Sequence, residues 1–309
     1  MPKPKIGIIG VGWIGTPLKR YLEEHRGYKL GEDLFTYDIV PEKRAGDVND
    51  ADVVFVCVPT PRNGDGTCDL SIVEDVVSKL DTARRPDQAG KIIVLKSTIL
   101  PGTTEYFQKK YPAHKFLFNP EFLTESKAWL DFVKPFSQIV GFTDKSLDAA
   151  QLVLSILPRA PFMSPGGTDA YQQTRISATE AELIKYAANI HHARKINWAN
   201  ALAEICDKLD ADYENVRRGM AADYRIGDSH LNVQHGGYRG FGGYCFPKDL
   251  SAIKTFARER GLDDVYDLLI ADWKFNENIL NNQGLTIDDV SKHSKDMKIE
   301  DKNSTLADS

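Results

Sequence analysis

The chain has 309 residues, 42% hydrophobic and 27% charged, enough to bury the cores of two domains and ordinary for a globular protein. A net charge of −5 with scattered lysines and arginines leaves no basic stripe of the kind that binds nucleic acid, and no apolar run approaches the ~20 residues that span a bilayer. The start, M-P-K-P-K-I-G-I-I-G, enters a strand at once without the apolar stretch of a secretory signal, so a cytoplasmic location is expected. Six short β-rich runs then follow in order: K-I-G-I-I-G, D-L-F-T-Y-D, A-D-V-V-F-V-C-V-P, K-I-I-V-L-K-S, K-F-L-F-N-P and F-S-Q-I-V-G-F. Each is bounded by Gly, Pro, Asn or Asp and reads as a buried strand. Helix-period segments lie between them at Thr16–Glu24, Leu70–Thr82, Thr103–Tyr111 and Lys145–Ile156. Such alternation predicts an α/β fold with a mostly parallel, Rossmann-like sheet covered on both faces and ligands beyond the carboxyl ends of its strands.

The second half changes character. From Ser177 to Leu209 a helical pattern runs without Pro or Gly, and Ser177 with Glu180 makes a capping box at its start. A helix of that length spans ~45 to 50 Å, longer than one small domain needs, and such helices bridge domains or form a dimer seam. Shorter helices are predicted at Tyr213–Met220, Asp249–Glu259 and Val265–Leu280. Residues after Asn281 are polar and charge-rich and are expected to be a disordered tail.

The first strand ends in G-V-G-W-I-G, which sets Gly10, Gly12 and Gly15 in the G-x-G-x-x-G spacing, with Val11, Trp13 and Ile14 between them. The first glycine permits the tight turn and the second lets a pyrophosphate approach the backbone. The third lets the helix pack close, its N-terminal N–H groups facing the phosphates. Asp38 ends the second strand, where a carboxylate accepts hydrogen bonds from the adenosine ribose hydroxyls. An acid there favours NAD over NADP, with Lys43 close by.

Four cysteines (Cys57, Cys68, Cys206, Cys245) are far apart and form no C-x-x-C pair, so neither a zinc site nor a disulfide framework is indicated and no metal is expected. Cys57 in a strand and Cys206 in the long helix read as small buried hydrophobes, and Cys68 in N-G-D-G-T-C-D is open to either reading. Cys245 differs: glycines precede it in G-F-G-G-Y-C-F-P-K-D, and Lys248 and Asp249 follow. A nearby cation favours the thiolate, the form that attacks carbonyls. Other polar residues stand where strands or helices end: Ser97 and Thr98 in K-S-T-I-L-P-G-T-T, and Glu121 after Asn119-Pro120, with Glu125 a turn on. Lys185 and Asn189 are i,i+4 and share one face of the long helix. Taken singly, each also has a bland reading as a capped turn or a solvated face. The adjacent pair His191-His192 points in different directions and reads as surface or seam rather than a metal site.

In their order along the chain, G-V-G-W-I-G, A-D-V-V-F-V-C-V-P-T-P, K-S-T-I-L-P-G-T-T, N-P-E-F-L-T-E-S, A-E-L-I-K-Y-A-A-N, Y-R-I-G and G-F-G-G-Y-C-F-P-K-D resemble the UDP-glucose 6-dehydrogenase and GDP-mannose dehydrogenase family, from about Lys5 to Asn276. The C-F-P-K-D form is most similar to the UDP-glucose branch. The resemblance implies an NAD-binding Rossmann-like domain over residues 1–170. It implies a helical, dimerising domain over 171–282 that carries the cysteine loop, leaving 283–309 as the polar tail. It implies a two-step, four-electron oxidation of a sugar C6 alcohol to a carboxylate with two NAD⁺. Cys245 would carry a thiohemiacetal and then a thioester. Glu121 or Glu125, with Thr98, would position and deprotonate the hydrolytic water. Lys185 and Asn189 would stabilise the oxyanion.

By the same resemblance Asp249 would handle protons beside the thiol, and Lys248 would lie near nicotinamide and sulfur. Val58, Pro59 and Thr60 would flank the adenosine, and Ser97 and Thr98 the nicotinamide. Glu121, Phe122, Leu123 and Gly242 would contact the sugar nucleotide, and Arg225 would reach the sugar of a neighbouring subunit in a homodimer built on the long helix.

Departures from the family pattern are Gln138, where arginine is usual, and His191-His192, where apolar residues are usual. Family members usually continue into a further α/β unit that closes over the UDP, and the residues after Asn276-Glu277 are expected not to be that unit. Three readings stay open: a compact nucleotide-sugar dehydrogenase, completed by its own oligomer or by a separate chain; a dehydrogenase of a smaller alcohol or sugar derivative; and a non-catalytic NAD-binding dimer. The presence of Cys245, Lys185, Asn189, Thr98 and both glutamates argues against the last, since a binding module needs none of them.

Overall fold

A computed structural model describes residues 3–85, 87–124, 126–166, 174–234 and 236–291. The chain divides into two compact units. One runs to Lys185, except that Asp65–Thr67 belongs with the second, which starts at Tyr186. The boundary expected at 170/171 falls outside the described residues, and the compact first unit reaches into the long helix.

The first unit contains β1 (Ile6–Ile9), α1 (Gly15–Arg26), β2 (Leu34–Tyr37), β3 (Val53–Val56), α2 (Ser71–Thr82), β4 (Ile92–Leu95), α3 (Thr103–Lys110), β5 (Lys115–Phe118), α4 (Ala128–Val133), β6 (Ser137–Ile139), β7 (Gly141–Phe142), α5 (Leu147–Ile156) and β8 (Phe162–Ser164). The main sheet has the order β2-β1-β3-β4-β5-β7, parallel except for β7, which runs antiparallel to β5. This is the mostly parallel α/β architecture expected from the alternation. Both faces of the sheet are buried, which explains its near-continuous apolar strands. Ile6, Ile8, Val53, Phe55 and Val94 pack with Leu18, Leu22 and Val153, while Val54, Val56, Ile93 and Leu95 pack with Val73, Val77 and Phe107. The strand order reverses between β1 and β3, so the turns after those two strands flank the crevice where such sheets bind ligands.

The run F-S-Q-I-V-G-F, expected as one strand, is split. Residues 137–139 pair with β8 in a separate two-stranded sheet, and residues 141–142 join the main sheet. Gly141 marks the change of partner, because a side chain there would meet the Ala181 Cβ at 2.6 Å and the Ser177 carbonyl at 2.7 Å.

The long helix α6 (Ala178–Leu209) opens with the expected capping box: the Ser177 N–H donates to Glu180 Oε2 at 2.7 Å and the Glu180 N–H to Ser177 Oγ at 3.3 Å. The second unit adds α7 (Tyr213–Ala221), α8 (Cys245–Glu259), α9 (Asp263–Asn281) and α10 (Ile287–Val290). Two expectations change here. Helix α8 starts at Cys245, four residues before the predicted start, so the cysteine opens a helix rather than riding on a loop. Residues 283–291, assigned to a disordered tail, are ordered: α10 carries a Thr286/Asp289 capping box and buries Ile287 and Val290. Two apolar residues with a cap suffice to dock one turn of helix, a pattern too short to register as periodicity. Residues 292–309 lie outside the described residues.

Candidate functional site

In the first unit the turn after β1 has the shape a dinucleotide needs. Gly10 has φ +91°, and a Cβ there would lie 2.7 Å from the Cys57 carbonyl. A Cβ on Gly15 would collide with the Gly10 carbonyl, which is how α1 comes so close to the turn. Gly12 faces open space with no atom within 4 Å of a built Cβ, so its backbone is accessible to a phosphate. Asp38 accepts from the Val11 N–H at 2.7 Å and the Val40 N–H at 2.9 Å, and Lys43 Nζ donates to the Val11 carbonyl at 2.9 Å. The acid that ends β2 is thus tied to the glycine turn itself. Trp13 and Ile14 are partly buried beside it. Ile39, which the sequence reading passed over, is 86% exposed next to Asp38, an apolar surface suited to the face of an adenine.

The turns after β3 and β4 are stitched together. Thr60 Oγ1 donates to the Thr98 carbonyl at 2.7 Å, and Ser97 Oγ to the Val58 carbonyl at 2.6 Å. Val58, Thr60 and Ser97 are buried, Pro59 is exposed and Thr98 is half-buried. Cys68 is buried with its Sγ 3.8 Å from the Thr98 carbonyl, as a small hydrophobe would be. The residues assigned to the adenosine and nicotinamide sides therefore lie on one connected rim.

Lys185 is buried and ion-paired with Glu121, Nζ to Oε1 at 2.9 Å, and also donates to the Glu121 carbonyl at 2.7 Å. The other carboxylate oxygen of Glu121 accepts from the Leu123 N–H at 2.8 Å, and the Lys185 ammonium lies 5.5 Å from the Phe122 ring centre. Burial pushes the Glu121 carboxyl up, but the Lys185 charge, the hydrogen bonds from Lys185 and Leu123, and Lys96 outweigh it and hold the group below its usual range. A carboxylate so stabilised is a weak base, suited to holding Lys185 and orienting a water. Glu125, the other candidate for the hydrolytic base, lies outside the described residues.

A cavity of about 640 Å³ adjoins Glu121, walled in part by Phe122, Leu123, Phe136, Gln138 and Arg159. Part of its wall belongs to a network that sequence reasoning missed. Buried Lys96 donates to Asn119 Oδ1 at 2.5 Å, and Asn119 Nδ2 donates to Gln138 Oε1 at 2.9 Å and to the Ile139 carbonyl at 2.6 Å. Burial lowers the Lys96 pKa. The neutral Gln138 adds no further cation to a wall that already holds Lys96.

In the second unit Cys245 is the first residue of α8 and is exposed, whereas Cys57, Cys68 and Cys206 are buried. One turn on, Asp249 is fully buried. It accepts from Asn189 Nδ2 at 2.5 Å and from Lys248 Nζ at 2.5 Å. Asn189, Lys248 and Asp249 thus form one buried cluster at the start of α8. A helix N-terminus favours the negative form of a thiol placed there. At Gly242 the space a side chain would take is filled by Tyr238 Oη and the Val290 carbonyl, whereas Gly243 (φ +72°) has open space. His191 is exposed and His192 half-buried, the His192 ring stacking on His230 with centres 4.1 Å apart, beside Phe246. Arg225 is exposed and paired with Asp223 at 2.6 Å.

Two sequence models of one family match the chain. The NAD binding domain of the UDP-glucose/GDP-mannose dehydrogenase family matches residues 42–156, and the central domain of the same family matches residues 179–278. The chain belongs to the UDP-glucose/GDP-mannose dehydrogenase family. Among its relatives, YtcA of Bacillus subtilis (strain 168), assigned provisionally as a UDP-glucose 6-dehydrogenase, is 34% identical over 84% of this chain and 64% of its own length. AglM of Haloferax volcanii, a UDP-glucose 6-dehydrogenase, is 32% identical over 84% of this chain and 66% of its own length. The solved structure of a UDP-glucose dehydrogenase from Pyrobaculum islandicum superposes with a TM-score of 0.74 at 26% identity, covering 91% of this chain and 71% of that one. The chain therefore spans just under two thirds of the length of the two relatives. It carries the family's NAD-binding and central regions. Among the described residues no helix is long and apolar enough to cross a membrane.

Proposed function

We propose that the chain is an NAD-dependent nucleotide-sugar 6-dehydrogenase that converts UDP-glucose to UDP-glucuronate through a covalent intermediate on Cys245. The observation that carries this reading is the exposed thiol at the first residue of α8, with the buried Asn189–Asp249–Lys248 cluster one turn on. NAD⁺ held by the Gly10–Gly15 turn, Asp38 and the Val58–Thr60 and Ser97–Thr98 segments would supply the hydride acceptor for both oxidations. Oxidation of the C6 alcohol removes its hydroxyl proton and leaves an aldehyde. The Cys245 thiolate adds to that carbonyl, and the oxygen takes a proton, giving a thiohemiacetal. This form keeps the aldehyde from escaping. A second two-electron oxidation, with loss of the hydroxyl proton, makes a thioester. Water then adds to the thioester carbonyl, the C–S bond breaks, and the carboxylate leaves a regenerated thiolate.

Lys185 and Asn189 lie one turn apart on α6 and supply donors to the oxyanion at each tetrahedral stage. Glu121, held as an anion, keeps Lys185 in place and orients the hydrolytic water with Thr98, leaving proton removal to Glu125. The cavity beside Glu121 is large enough to admit part of a sugar nucleotide, and Arg159 offers a cation to a phosphate there. Trp198, Ile205 and Leu209 form an exposed apolar stripe on α6, which supports a homodimer joined along that helix, with Arg225 serving the site of the neighbouring subunit.

The deciding experiment counts NADH released per UDP-glucose consumed. Two equivalents, with none from Cys245→Ser, support the proposal. Tight NAD binding with no turnover of any nucleotide sugar sinks it, and one equivalent with aldehyde release removes Cys245 from the role of covalent carrier.

A further inference from the structure

The segment before Cys245 is held on alternate residues by groups from far along the chain. The Arg239 N–H donates to Gln283 Oε1 at 2.8 Å, and Gln283 Nε2 donates back to the Arg239 carbonyl at 2.9 Å. Two residues later the Phe241 N–H donates to Asn276 Oδ1 at 2.7 Å and Asn276 Nδ2 to the Phe241 carbonyl at 3.0 Å. Two residues later again the Gly243 N–H donates to the Val290 carbonyl at 2.7 Å. This segment bends and turns, with Gly240 and Gly243 at positive φ, so its backbone groups have no strand partner and two side-chain amides and one carbonyl satisfy them instead.

The glycines follow from this arrangement. A Cβ on Gly240 (φ +101°) would lie 2.8 Å from Asn276 Oδ1, and one on Gly242 would strike Val290. Asn276 is fully buried, so its amide is committed to this pairing. Arg239 adds an anchor to α6, with Nε 3.1 Å from Asn200 Oδ1 and Nη2 3.0 Å from the Asn200 carbonyl. Downstream of Cys245, α8 itself packs along α9, the helix that carries Asn276.

We propose that Asn276, Gln283 and α10 form a clasp whose role is to present Cys245: they are positioning residues for the nucleophile, acting through the backbone of residues 239–243. This inference rests on the reading of Cys245 as the nucleophile. It adds that the segment from Gln283 to Val290 is a working part of the site.

The test is the pH profile of Cys245 alkylation by iodoacetamide in the full chain, read by mass spectrometry of the Cys245 peptide, beside turnover and thermal melting. The other three cysteines are buried and react slowly. Asn276→Asp keeps the size and the acceptor for the Phe241 N–H but sets a second oxygen against the Phe241 carbonyl. Gln283→Ala removes an exposed side chain that contributes little to any core. The expected result in both variants is a shifted alkylation profile with a change of about threefold or more near neutral pH. The kcat falls about tenfold with KM little moved, since displaced reacting groups lose rate before binding. Profiles and turnover that superpose on the wild type in both variants overturn the clasp. If Asn276→Asp fails to fold, the Gln283→Ala profile decides alone. A shifted profile in a protein that turns over no nucleotide sugar upholds the clasp and sinks the proposed reaction.

Discussion

The Lys185 ammonium holds Glu121 by both its side chain and its backbone, at 2.9 Å and 2.7 Å, with both side chains almost wholly removed from water. Such a pair is costly to break from one side, because the survivor is left as an uncompensated buried charge. Its pH dependence follows from the lowered Glu121 pKa. The stabilisation is present above the ordinary value of 4.5 and is lost as pH falls through the depressed value. In Lys185→Met burial is the largest influence left on the carboxyl, against only the Leu123 N–H and Lys96, so its pKa is expected to rise above 4.5 and stability instead to decline as pH climbs. Urea midpoints between acid and neutral pH are therefore expected to slope in opposite directions for the two proteins, with the variant about 3–5 kcal/mol less stable near neutrality. Parallel slopes would show that Glu121 is not held by Lys185.

Glu182 offers a second titration of opposite sign. It is fully buried on α6 and accepts from the Gly102 N–H at 2.6 Å, the Thr104 N–H at 2.8 Å and Thr104 Oγ1 at 2.5 Å. Helix α3 has no side-chain cap of its own at Gly102, so this carboxylate from another element serves as one. Burial raises its pKa to about 7 against the pull of those hydrogen bonds. The folded state therefore binds a proton more tightly than the unfolded chain. The contribution of this group to stability is full below 4.5 and falls as pH rises to about 7. Glu182→Gln does not titrate, so its stability deficit is expected to be largest at acid pH and to shrink toward pH 8, as denaturant titrations at both ends would read. A deficit that grows with pH would mean that the ionised form is the favoured one.

The two glycines at the start of the dinucleotide turn are predicted to fail in different ways. Gly10→Ala puts a Cβ against the Cys57 carbonyl at a backbone angle that L-residues avoid, so it is expected to cost about 1–3 kcal/mol of stability. A Cβ on Gly12 meets no atom of the chain within 4 Å, so Gly12→Val is expected to melt with the wild type, yet to weaken NAD binding about tenfold or more by filling the space a phosphate needs. Calorimetric NAD titration beside thermal melting separates the two. Unchanged NAD affinity in Gly12→Val would place the cofactor elsewhere.

These contrasts mark what was legible in the sequence. The sheet could be read because strands buried on both faces are apolar throughout and because the glycine spacing encodes a local turn. The strand 137–142 was misread because an apolar run carries no sign of where its partner changes. Glu182 and Asn276 were missed for a different reason. Each acts on backbone far away in sequence, 78 residues for Glu182 with Thr104 and 35 for Asn276 with Phe241, and no local periodicity records such a bond. Cys245 is expected on a loop, since the Gly-Gly before it reads as a breaker, whereas the helix starts at the cysteine itself.

The last prediction concerns the α6 stripe. Trp198 is 56% exposed, Ile205 51% and Leu209 72%, and their spacing of seven and four residues keeps them on one face of the helix. Large apolar side chains seldom face water in a row unless something covers them. On the proposed dimer these residues meet their symmetry mates, so Trp198→Asp would bring like charges together across the seam at a residue that is more than half exposed within the chain. Sedimentation velocity is expected to show the wild type as a dimer and the variant as a folded monomer. Because Arg225 is proposed to serve the neighbouring site, turnover should fall with the dimer and recover at concentrations that restore it. A wild type that stays monomeric across the same range, with turnover independent of concentration, would remove the helix seam and the shared arginine together.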